Sequence, residues 1–61
     1  MNEYDVKRLA LILAIQSEVE GMKAENIQRS QENFSLAYTD ADFQIKASEL
    51  RTLAYKHNEQ L

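Results

Sequence analysis

Apolar residues fill every position from Leu9 to Ile15, the run LALILAI, and beyond it they return at intervals of three and four. That interval is the α-helical period, which puts residues i, i+3 and i+4 on one face. The chain has no Pro and a single Gly, so one long helix is predicted over about residues 3–31. The period lapses through SQENFSLAYT, Ser30 to Thr39, which predicts a connection over about 32–39. It resumes as a second helix over about 40–60. Asn2 and Thr39 carry side chains that cap helix N-termini, with Asp5 and Asp42 three residues on to suit the dipole. Glu3 with Lys7, Glu25 with Arg29 and Asp42 with Lys46 are i, i+4 pairs in the favourable order. Two helices joined by a short connection make an all-α antiparallel helical hairpin, one domain over 1–61.

On the second helix Phe43, Ala47, Leu50, Ala54, His57 and Leu61 form a seam of alternating large and small residues, widened by Leu53. Ile12, Ile15, Val19, Met22 and Asn26 are its counterpart on the first helix. This arrangement is expected to set Val19 near Leu50, Met22 near Ala47 and Ile15 near Ala54. Apolar residues are left over: Leu9 and Leu13, with Val6 and Ile27, point about 100° or more away from the centre of the stripe that holds Ile12 and Ile15. A third stripe, Ala10, Ala14, Ser17, Gly21 and Ala24, is made of small residues. Small residues let another helix approach closely, and Gly21, about 1 kcal/mol worse than Ala inside a helix, is easier to understand against a packed backbone. The alternative is that alanine simply favours helix and the stripe faces water. A helix apolar all round is normally buried all round. Val6, Leu9, Leu13, Ala10, Ala14, Ser17, Gly21 and Ala24 are therefore assigned to self-association, two hairpins pairing into a four-helix bundle.

At 61 residues a single core is marginal, and domains of this size lean on disulfides, metals or oligomerisation. With no Cys and one His, oligomerisation is what remains, and a homodimer is expected. Ten acidic against seven basic residues give a net charge of −3, the wrong sign for neutralising phosphates, so nucleic acid is a poor partner. The seven-residue apolar run is too short for a membrane span of about 20 residues, and the acids in MNEYDVKR do not fit a signal peptide. A cytoplasmic protein with no membrane contact is expected, consistent with the lack of Cys.

No catalytic, cofactor-binding or metal-binding residue is assigned. His57 lies on the seam near the end of the second helix, where its cation suits the dipole, with no Cys or second His to build a metal or catalytic group. Glu18 and Glu20 point about 160° apart, and the Glu-x-x-His pattern of helical di-metal sites is missing. Lys46, Arg51 and Lys56 diverge around their helix, and the connection is too long for a helix-turn-helix. Phe34, Leu36 and Tyr38 in the connection either fold back over the end of the bundle or anchor a partner. Ile45 and Tyr55, off the seam, complete the partner-contact set of Phe34, Leu36, Ile45 and Tyr55.

The stretch MNEYDVKRLALILAIQSEVEGMKAENIQRS and the ending LAYKHNEQL resemble the small early proteins encoded between the exonuclease and excisionase genes of lambdoid bacteriophages. The resemblance spans the whole chain and carries no functional motif. It implies a non-enzymatic early protein of the host bacterial cytoplasm, without cofactor, that contacts an unidentified host protein and influences host physiology or the choice between lysis and lysogeny. A different class, a small DNA-binding or nucleoid-associated regulator, requires a dimer that assembles a basic surface absent from one chain.

The two stripes separate by mutation. Val19→Glu is expected to unfold the hairpin, whereas Leu13→Glu is expected to lower the solution mass of an assembly; an unchanged mass and helicity for Leu13→Glu would remove the second stripe as an interface.

Overall fold

The computed structural model describes residues 2–61, and it is a hairpin of two helices, α1 (Glu3–Gln31) and α2 (Asp40–Tyr55), followed by one short 3₁₀ turn, Asn58–Gln60. Asn2 caps α1 as its residue type predicts, accepting the Asp5 N–H at 2.9 Å. The far end of α1 closes through Asn33, whose φ of 61° places it in the left-handed region that Asn tolerates better than most residues. The turn lets Asn33 N–H reach the Ser30 carbonyl and Phe34 N–H reach that of Arg29 at 2.8 Å, the paired bonds of a Schellman stop. At the start of α2 the Thr39 N–H donates to the Asp42 carboxylate at 2.8 Å. Asp42 is thereby used as a cap, and the expected Asp42–Lys46 pair gives way to Lys46 bonding Glu18 and Glu49. Glu25 and Arg29 pair as expected at 3.0 Å, while Glu3 and Lys7 form no pair among the described residues.

The α1 seam lies where its period puts it: Met22 is buried, and Ile12, Ile15, Val19 and Asn26 are half-buried. The α2 seam is rotated. Leu53 is its buried centre, Phe43, Lys46, Ala47 and Leu50 are half-buried, and Ala54 and His57 are exposed. Ile15 accordingly shares a cleft with Leu53 rather than meeting Ala54, whereas Val19 and Leu50 line one groove together as expected.

The second helix also stops earlier than its pattern predicts, at Tyr55 instead of about residue 60, with Lys56 and His57 extended at ψ 137° and 153°. Arg8 caps this end. Its guanidinium donates to the Leu53 carbonyl at 3.1 Å, the Lys56 carbonyl at 2.6 Å and the Asn58 side-chain oxygen at 3.2 Å. A cation at the negative end of the helix dipole satisfies carbonyls that the chain leaves open there, and α2 has no basic residue of its own in its last turn. His and Asn, weak helix formers, follow at once. Asn26 does the matching work at the other end, gripping the Tyr38 backbone by two bonds, Nδ2 to the carbonyl at 2.9 Å and Oδ1 from the N–H at 3.0 Å.

The hairpin measures 46 × 19 × 11 Å with a radius of gyration of 14.6 Å. A compact domain of this length would have a radius near 10.5 Å. The molecule is thus a single helical layer, and among the described residues only Met22 and Leu53, each 7% exposed, are buried.

Replacing Arg8 with Met keeps the aliphatic stem and removes the cap. The expected result is a loss of about 1–2 kcal/mol in urea unfolding, with amide exchange accelerated first over Asn58 to Leu61; equal exchange in both proteins would show that Arg8 does not hold the C-terminal turn.

Candidate interaction surface

Among the described residues, eleven large apolar or aromatic side chains are exposed. Their positions follow from the fold, because a helix in a two-helix layer covers one stripe and turns the rest outward. Val6, Leu9 and Leu13 are 53%, 44% and 52% exposed, on the side of α1 away from the seam. Ala10, Ala14, Ser17, Gly21 and Ala24 are all exposed too. A Cβ built on Gly21 would meet nothing within 4 Å, so its own chain offers no packing reason for a glycine there.

Two clefts flank the line of helix contact. One, of about 510 Å³, has Leu11, Ala14 and Ile15 from α1 and Ile45, Thr52 and Leu53 from α2 along its floor, with Glu18, Glu49 and Lys56 at its edges. Here the structure joins two residues assigned different roles from the sequence, Ala14 for self-association and Ile45 for partner contact. Leu11 and Thr52 had been assigned to no surface; Leu11 lies only about 40° from Ile15 around the helix, a signal obscured by the unbroken apolar run. The other cleft, of about 740 Å³, brings Leu13 and Ser17 beside Val19 and Leu50, with Glu20 and Lys23 at its edge. Glu20 and Lys23 pair with each other at 3.2 Å.

The remaining partner-contact residues are not brought together. Phe34 and Leu36, 60% and 57% exposed, do not fold back onto the single hairpin. Tyr55, 86% exposed, stands alone on the outer face of α2. Ile45 is 57% exposed, at the first cleft.

The strongest electrostatic feature lies beside the first cleft. The Lys46 ammonium bonds the Glu18 carboxylate across the two helices and reaches Glu49 at 3.5 Å on its own helix. The Glu18 hydrogen bond and the two carboxylate charges outweigh partial desolvation and raise the lysine above its ordinary 10.5. Among the described residues, no group of three or more His, Cys, Asp or Glu is placed to hold a metal ion, and no helix is long and apolar enough to cross a membrane. What the surface offers chemically is apolar contact area with sparse charges at its edges, the composition of a helix-packing face. Comparison with protein-family models, curated proteins and solved structures finds no match to the chain.

The raised lysine carries a pH signature. Its contribution is fully present below pH 10.5 and is lost as pH rises through the raised folded value. Thermal midpoints of the parent and Glu18→Gln are therefore expected to differ at pH 8 and to converge as the pH rises past the raised Lys46 value; a constant difference throughout would mean that Glu18 acts through something other than the Lys46 charge.

Proposed function

We propose that this protein is a small non-enzymatic adaptor that works by protein–protein association, first with a second copy of itself as a four-helix bundle and then with a protein of its host. One observation carries the proposal: two buried residues stand against eleven exposed large side chains. Each fully buried aliphatic or aromatic side chain stabilises by about 1.5–3 kcal/mol, and a hairpin that buries so few gains most by packing its outward-turned side chains against a second copy. The whole-chain resemblance to lambdoid early proteins supports a place in the bacterial cytoplasm early in infection and an effect on host physiology or the lysis–lysogeny choice. The negative net charge favours a protein partner over nucleic acid.

Size-exclusion chromatography with light scattering, paired with circular dichroism on dilution, tests this reading. A dimer mass with helicity falling as the assembly dissociates is the expected outcome. A monomer that stays fully helical at every concentration would overturn it, and DNA binding that weakens steeply with salt would move the function to a nucleic-acid regulator.

A further inference from the structure

We propose that the second copy docks antiparallel along the outward side of α1, about a twofold axis passing near Ser17; the inference rests on self-association being how the protein acts. Val6, Leu9, Leu13 and Ile27, 44% to 60% exposed, run along this side and are left open by the other described residues. A stable contact takes about 800 Å² from each partner, roughly a sixth of the 4720 Å² of this chain. The side from Val6 to Ile27, about 32 Å long at the helical rise, is of that scale.

The pattern is self-complementary in only one direction. With antiparallel copies crossing at Ser17, Leu13 faces Gly21 of the second copy, Leu9 comes within a residue of its Ala24, and Val6 within a residue of its Ile27. Large side chains meet small ones along the middle and each other at the ends. The open space at Gly21 is where a leucine of the second copy enters. Charge selects the same orientation. Lys7 has no ion-pair partner among the described residues, and it shares a flank of α1 with Glu25, which bonds Arg29. Antiparallel helices put like flanks together, so each Lys7 meets the Glu25 of the other copy. Parallel helices would put this flank of one copy on the opposite side of the contact from that of the other, and the Lys7–Glu25 pair would be lost.

The chain has no Cys, so a cysteine placed on a twofold axis meets only its own copy. Ser17→Cys is expected to give a disulfide-linked dimer under mild oxidation, while Ile45→Cys and Tyr55→Cys run as monomers on a denaturing gel. A Cβ at position 21 meets nothing within 4 Å in its own chain, and Leu is a better helix former than Gly. Gly21→Leu is expected to stay helical and to dimerise about tenfold more weakly or worse by light scattering. Crosslinking through Ile45→Cys in place of Ser17→Cys, or a Gly21→Leu dimer as tight as the parent, would overturn this face and leave self-association standing. A parent chain that is monomeric at all concentrations would overturn both.

Discussion

Two helices laid side by side meet along one line, and every side chain off that line turns outward. At 11 Å across its thinnest dimension the hairpin is one helix deep, so it has a seam and no interior. Met22 and Leu53 reach burial because each sits on the seam, with neighbours on both sides. LALILAI has no such option: its seven residues wind almost twice around α1, and only Ile12 and Ile15 of them point at α2 well enough to be half-buried. The exposed remainder is a geometric consequence of having two helices in place of three or four.

With so little apolar burial, polar contacts set how the helices align. Arg8 holds the end of α2, Glu18 bonds Lys46 in the middle, and Asn26 grips the connection at Tyr38. From Arg8 to Glu18 is ten residues and from Lys56 back to Lys46 is ten; from Glu18 to Asn26 is eight and from Lys46 back to Tyr38 is eight. The three rungs therefore belong to one antiparallel register, and sliding either helix would strain all of them together. Directional bonds to backbone carbonyls and carboxylates specify alignment in a way that a smooth seam of Ile, Val and Leu does not. The Arg8 rung also caps the end of α2, satisfying the carbonyls of Leu53 and Lys56 beyond its last turn.

The α1 seam extends to a residue that is not apolar, Arg8. It stands four residues before Ile12 and continues the spacing of the α1 seam, Arg8, Ile12, Ile15, Val19, Met22, Asn26. Stripes are ordinarily searched for apolar residues, so a cation in the series drops out of view, although its long stem packs while its head reaches carbonyls. The Glu18–Lys46 contact had no such trace. Lys46 has an acid four residues before it in Asp42, and local spacing favours that pair, but Asp42 is spent on the Thr39 cap and the lysine turns across to α1.

The chain alone determined that there are two helices, where α1 begins and ends, where α2 begins, and which stripe of α1 faces its partner. These follow from helical period, capping side chains and the loss of period between them, all of which act within a few residues. Only the tertiary structure decided the rotation of α2 that makes Leu53 central and leaves Ala54 and His57 exposed, the early stop of α2, and the clefts that join Ala14 to Ile45 and Leu13 to Leu50. Those depend on bonds between residues as far apart as Arg8 and Asn58. No local pattern encodes which of two nearly equivalent faces of a short amphipathic helix such bonds will select.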